Sequence, residues 1–116
     1  MALRSYHFSM RPLFAAVLFP LIITPAQAGS AGMGSISDVI AHHAGVFFEL
    51  SSPRISPPAC ATQNRWFINS ATNQGQAMIA VLLTAQIQGK RVGVVGTGYC
   101  DVWADTETVD HFFVEN

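Results

Sequence analysis

The feature that most constrains the fold is a stretch without charge, since residues 66–89 contain no Asp, Glu, Lys or Arg. Within it, residues 73–88 are rich in Ala, Leu and Met, which favour helix formation, and Gly89 follows at a position where helices commonly end. We therefore predict a helix over residues 73–88. Its apolar side chains occupy more than one side, so it has to be covered by the domain itself or by a neighbouring subunit.

Both ends of this helix carry typical end signals. Asn73 is expected to cap the N-terminus, and Gln76 has capping-box spacing from it. Lys90 and Arg91 lie next to the negative end of the helix dipole.

A monomer would expose apolar residues such as Leu83 to water, so we expect a homo-oligomer that forms through residues 73–88.

The first 28 residues have the three parts of a secretory signal peptide. Arg4 and Arg11 charge its start, residues 12–23 are apolar, and residues 26–28 read Ala-Gln-Ala, a cleavage motif. The alternative is a membrane anchor, but an apolar run of about a dozen residues is shorter than the ~20 that span a bilayer. We expect cleavage after Ala28, which leaves residues 29–116 as one domain, periplasmic or secreted.

Removal of the leader changes the charge balance. Of the 6 Lys and Arg residues, Arg4 and Arg11 are lost, whereas all 7 Asp and Glu residues remain, so residues 29–116 carry a net charge of −3 (4 − 7). An acidic domain is a poor partner for phosphate-rich molecules. We therefore expect no nucleic-acid binding, and no membrane span after cleavage of the leader.

The two cysteines, Cys60 and Cys100, both lie in the expected mature domain. In an exported protein a disulfide between them is the default expectation. It would close a loop of about 40 residues and contribute roughly 4 kcal/mol in the chain-entropy account. The alternative, a reactive thiol, needs an activating base, and the sequence places none beside either cysteine.

The remaining segments alternate between apolar runs and turn residues. Residues 29–34 are small and predicted to be without regular structure, and residues 51–58 are rich in Pro and Ser and predicted to be a loop. Gly45 lies between two apolar runs and indicates a hairpin turn. The predicted strands are residues 35–42, 45–51, 65–69, 90–95 and 106–114.

The resulting order is β-β-β-α-β-β within a single small domain. An all-β domain with one helix between its third and fourth strands has the layout of the OB-fold, a small five-stranded Greek-key barrel. In that arrangement the helix closes one end of the barrel, which suits an apolar helix. The alternative is an α+β sandwich in which the helix packs on an open antiparallel sheet.

Two parts of the sequence carry a family resemblance. The first comprises Cys60, Asn64-x-Trp66, Gln76-Ala77, Gly89 and Val92-x-Val94. In layout it is similar to the B subunits of AB-type bacterial toxins, in particular the subtilase cytotoxin B subunit and the pertussis-like group. The second, residues 96–100 followed by 107–109, resembles small uncharacterised exported bacterial proteins of the same shape.

The toxin resemblance implies a ring of five subunits that binds glycans, with the helices around a central pore. The chain is shorter than those subunits, and their sugar-binding residues have no match one by one in this sequence. The resemblance therefore implies an architecture, and the ligand-binding residues have to be argued from the sequence itself.

The best candidate for a binding site is the aromatic and acidic segment before the last strand. A sugar needs a flat apolar face for its ring and oxygen atoms that accept from its hydroxyls. Both are present in Tyr99, Asp101, Trp103, Asp105 and Glu107. The segment also falls between strands four and five, one of the two ligand loops of the OB-fold. The alternative is that Trp103 packs on the barrel while the acids face water.

His42 and His43 lie in the other ligand loop, between the first two strands. Neighbouring residues of a strand point to opposite faces, so this pair is a poor chelator of one metal. A three-histidine site with His111 is conceivable, but we expect no metal. Either histidine is a candidate for ligand contact, or for titration near neutral pH.

No catalytic arrangement stands out, and we expect neither an enzyme nor a cofactor. The sequence has no nucleophile-elbow motif, and Gly93, Gly96 and Gly98 lack the following helix of a dinucleotide site. Two functions are left open. One is an exported binding module for a glycan or a protein surface. The other is an exported structural or inhibitory protein that binds another protein.

Overall fold

The computed structural model describes residues 2–3, 14–22 and 27–116. Arg4, Arg11 and Ala26 of the predicted leader lie outside the described residues, as do the ends of its apolar run. Among the helices of the described part of the chain, none has the length and apolar content needed to cross a membrane.

The described residues form seven strands and one helix. In chain order they are β1 (Ser30–Gly34), β2 (Ile36–His42), β3 (Gly45–Leu50), β4 (Arg54–Ile55), β5 (Trp66–Asn69), α1 (Asn73–Ile87), β6 (Val92–Gly96) and β7 (Val109–Val114). The helix and the five predicted strands are confirmed within a few residues at their ends. The start of the last one is an exception, because regular pairing with β6 begins only at Val109.

The strands make two antiparallel sheets, with the orders β4-β1-β6-β7 and β2-β3-β5. Only Ser35 separates β1 from β2, so one extended segment passes from the first sheet into the second. On the other side, a parallel bridge joins Phe67 of β5 to Thr108, next to β7. The two sheets are thus connected at both sides. The expected all-β domain with a single helix is confirmed.

Two predictions about loops were wrong. Residues 29–34 are not an unstructured leader, because Ser30–Gly34 forms β1 and pairs with both β4 and β6. Residues 51–58 are not entirely loop either, since Arg54–Ile55 forms the short strand β4. The small residues of β1 give no local strand signal. Their extended conformation comes from pairing with segments far away in the sequence.

The core lies between the two sheets and the inner side of α1. Its buried members come from almost every element: Ala31, Val46, Phe48, Leu50, Trp66, Ile68, Leu82, Ala85, Val92, Val94 and Val109. Only Leu82 and Ala85 in that set belong to the helix, whereas Ile87 is 87% exposed. The described domain therefore covers one side of α1 and leaves other apolar side chains in water.

The residue that caps the helix lies one position earlier than predicted. Thr72, rather than Asn73, is the N-cap, and its hydroxyl accepts from the Gly75 amide at 2.9 Å. Gln76 makes no capping box, because its side-chain amide donates to the Ser70 carbonyl at 3.1 Å. Gly89 adopts a positive φ of 65° just after the helix, as predicted for the residue that ends it.

The predicted disulfide is present. Cys60 and Cys100 are bonded, with their Cα atoms 6.1 Å apart. The bond ties the segment that precedes β5 to the loop between β6 and β7. It therefore holds the candidate aromatic and acidic loop against the body of the domain.

Candidate functional site

The two predicted ligand loops meet at one end of the domain. His42 lies at the end of β2, where the β2–β3 hairpin turns, and Trp103 lies in the loop between β6 and β7. Their ring centroids are 4.8 Å apart in an edge-to-face arrangement. Residues that are 61 positions apart by number (103 − 42) are thus brought into contact, which is the juxtaposition expected of the two OB-fold ligand loops.

Beneath this contact lie two buried aromatic rings. Trp103 packs edge-to-face on Phe47 at 5.0 Å, and Phe47 packs on Phe67 at 4.8 Å. Edge-to-face pairs of this spacing are favourable beyond the area that they bury. We call His42, Phe47, Phe67 and Trp103 the rim aromatic cluster. Trp103 packs on the body of the domain, as the alternative prediction held for this residue, yet it stays partly accessible to solvent.

The two histidines differ in their surroundings. The Nδ1 atom of His42 accepts from the Ala44 amide at 3.3 Å, which leaves its other ring nitrogen free to donate. His43 is exposed, with its ring centroid 4.0 Å from that of His42. Within the described residues, no group of three or more His, Cys, Asp or Glu side chains is placed to hold a metal ion.

Two of the predicted acids, Asp101 and Asp105, lie on the same loop as Trp103. Asp105 accepts from Thr106 Oγ1 at 2.8 Å and from Arg65 Nη2 at 3.2 Å. The hydrogen bond from Thr106, followed by the interactions with Arg65, holds the pKa of Asp105 below its ordinary value. Asp101 is exposed and accepts from Thr108 Oγ1 at 2.7 Å. Tyr99 is 58% exposed on the same loop.

Glu107 is not on the loop surface with the other acids. It is fully buried. Its Oε1 accepts from the amides of Gly29 and Gly98, at 2.8 and 2.9 Å, and its Oε2 accepts from Arg54 Nη2 at 2.8 Å. With both oxygens engaged inside the domain, this carboxylate is not available to a ligand at the loop. The prediction that it belongs to the binding surface is therefore corrected.

Two arginines that are not among the predicted site residues organise this region. Arg65 stacks its guanidinium on Phe47, with Cζ 4.3 Å from the ring centroid, while it pairs with Asp105. Arg54 lies over Trp66 at 3.8 Å and donates to the Arg65 carbonyl at 2.6 Å. Burial lowers the pKa of Arg54, and the charge and hydrogen bond of Glu107 oppose that shift. Arg54 lies in the Pro- and Ser-rich segment of residues 51–58, and the composition of that segment does not indicate such a role.

A second surface lies on the uncovered side of the helix. Two apolar grooves run along α1 and β7, of about 320 and 210 Å³. Val81 lines both of them and is 48% exposed. Val114 closes the larger groove, and His111 and Phe112 border the smaller one. These grooves lie where the sequence predicted a contact with a neighbouring subunit.

Comparison with known protein families, curated proteins and solved structures finds no match to this chain. The loop surface around Trp103 and the uncovered side of α1 are the two candidate sites of function.

Proposed function

We propose that this chain is an exported binding module that recognises a glycan at the rim aromatic cluster and assembles into a homo-oligomer through α1. The observation that carries the proposal is the contact between His42 and Trp103. This contact joins two loops that are far apart in the sequence. The sequence predicted a ligand-binding role for each loop independently. An OB-like fold presents its ligand surface between these two loops.

Export is supported by two independent features. The Cys60–Cys100 disulfide is typical of oxidising compartments outside the cytosol. The predicted leader ends in the Ala-Gln-Ala motif of residues 26–28, and β1 begins two residues after it, at Ser30. On this proposal the mature protein is periplasmic or secreted.

The chemistry of the cluster suits a neutral sugar. Trp103 and Tyr99 supply aromatic faces for the C–H groups of a pyranose, while Asp101 and the two histidines supply acceptors and donors for its hydroxyls. Tyr99 and His43 are exposed without packing on the core, so they are free to reorient toward a ligand. Arg65 and Asp105 pair with each other at 3.2 Å, so neither presents an unpaired charge to a ligand.

The test is a glycan array probed with residues 29–116. Tyr99→Ala and Trp103→Phe are each expected to weaken binding about tenfold, a loss of roughly 1.4 kcal/mol. Trp103→Phe keeps an aromatic ring on Phe47 and so separates ligand contact from packing. Phe113→Ala is the matched control, because Phe113 is a similarly exposed aromatic residue, 48% against 58% for Tyr99, that lies on β7.

Failure of the wild-type chain to bind any glycan would contradict the sugar proposal. It would favour the other function, an exported protein whose target is another protein. Binding that is unchanged in both loop variants would move the site away from the rim aromatic cluster.

Oligomerisation is supported by the uncovered apolar side of α1. The two grooves and the exposed Val81 form one continuous apolar strip next to β7. We take a second copy of the chain as the occupant, because the strip contains no Asp, Glu, Lys or Arg that would select a charged partner. This agrees with the ring that the toxin B-subunit resemblance implies.

A further inference from the structure

Gly29 lies where the chain passes from solvent into the domain. Gln27 and Ala28 are exposed, whereas Gly29 is buried. Its carbonyl accepts from the Gly96 amide at 2.8 Å, and its amide donates to Glu107 Oε1 at 2.8 Å. The first residue after the expected cleavage site therefore donates a hydrogen bond from its backbone N–H to a fully buried carboxylate.

Three glycines fit closely around that carboxylate. A Cβ atom on Gly29 would lie 2.5 Å from Glu107 Oε2, and one on Gly96 would lie 2.1 Å from Oε1. Gly98 has a φ of +84° and donates its amide to Oε1 at 2.9 Å. This accounts for the Gly-Thr-Gly segment of residues 96–98, which glycan binding does not explain. The backbone is shaped to bring its nitrogen atoms onto Glu107.

We propose that cleavage of the Ala28–Gly29 peptide bond turns the Gly29 amide into an α-ammonium that remains on Glu107 Oε1, so that the mature domain is closed by an ion pair between its own N-terminus and a buried carboxylate. The proposal rests on the export proposed above. Hydrolysis of the bond consumes one water molecule. The water oxygen bonds to the Ala28 carbonyl carbon as the C–N bond breaks, and both protons of the water end on the Gly29 nitrogen. At neutral pH the products are an Ala28 carboxylate and a Gly29 ammonium.

The new charge would complete the pairing of Glu107. In the uncleaved chain, Arg54 is the one cationic group among the described donors to this carboxylate, and it binds Oε2. After cleavage, Oε1 also receives a charged donor, because an ammonium replaces a neutral amide. Hydrogen bonds between charged partners are about twice as strong as those between neutral ones. We therefore expect the processed chain to be more stable than the unprocessed one.

The experiment compares thermal unfolding of three preparations at pH 7. One begins at Gly29, one retains Gln27 and Ala28, and one begins at an Nα-acetylated Gly29, which restores the neutral amide. The free Gly29 chain is expected to unfold about 5 °C above the other two. In Glu107→Gln this difference should vanish. In Glu115→Gln it should persist, because Glu115 is only half-buried and pairs with Arg91, away from Gly29.

The acetylated wild-type chain keeps the test decisive even if Glu107→Gln does not fold. Equal unfolding temperatures for free and acetylated Gly29 would overturn the ion pair. Processing is checked separately, from the intact mass of the full chain exported by a bacterial host, and a mature N-terminus other than Gly29 would overturn the assignment. Neither measurement depends on glycan binding, so the failure of that proposal remains distinguishable.

Discussion

Asp105 and Glu107 are two residues apart, yet they have opposite surroundings. Asp105 lies at the surface and pairs with Arg65, while Glu107 is buried and pairs with Arg54. In the sequence both belong to one acidic segment that looks solvated. The difference comes from the backbone, which turns Glu107 toward β1 and β4, where donors from distant parts of the chain surround it. An acid of this kind stabilises the fold instead of serving a ligand.

Asp105 gives a prediction about pH. The pKa of Asp105 is lowered in the folded state. Its ionised carboxylate therefore contributes fully to stability above the unfolded pKa of about 4, and this contribution is lost as the pH falls through the folded pKa. We expect Asp105→Asn to unfold at a lower temperature than the wild type at pH 7. The difference should shrink as the pH is lowered from 7 through the range below about 4. Melting curves over this range check it, and a difference independent of pH would contradict it.

At the scale of elements, the helix shows which features a local sequence pattern predicts and which it does not. The composition of residues 73–88 correctly predicted α1, because a run of good helix formers ended by glycine leaves few alternatives. The predicted position of the N-cap was wrong by one residue. Both Thr72 and Asn73 are suitable caps, and the choice depends on how the chain leaves β5, which the local sequence does not encode.

The cap predicts a clear asymmetry between neighbouring substitutions. Thr72→Ala removes the acceptor of the Gly75 amide and is expected to cost about 1 kcal/mol of unfolding free energy. Asn73→Ala is expected to be neutral or slightly stabilising, since Ala is the better helix former inside the first turn. Urea denaturation of both variants measures the difference. A larger loss in Asn73→Ala would restore the cap that the sequence predicted.

At the scale of the whole molecule, the uncharged helix remains only partly covered. Leu82 and Ala85 face the core, but Val81 and Ile87 are 48% and 87% exposed. The sequence allowed either the domain or a second subunit to cover this helix. The described structure shows that the domain covers one side, and this leaves the other side for a partner, as proposed above.

Light scattering on residues 29–116 is therefore expected to give a mass above that of a monomer. Val81→Asp, which puts a charge between the two grooves, should yield a monomer that still folds, because the side chain is half exposed. Phe113→Asp is the matched control, since Phe113 is equally exposed at 48% but lines neither groove. A monomeric wild-type chain would contradict the oligomer.

The sequence by itself determined the features that depend on short-range patterns. These are the helix, the hairpin at Gly45, the five predicted strands and the pairing of the two cysteines. The tertiary structure decided what depends on contacts between distant segments. It made Ser30–Gly34 a strand, brought His42 against Trp103, and buried Glu107 beside Arg54 and Gly29. Small glycine-rich segments and isolated charges have weak local preferences, so long-range pairing sets their conformation and their partners.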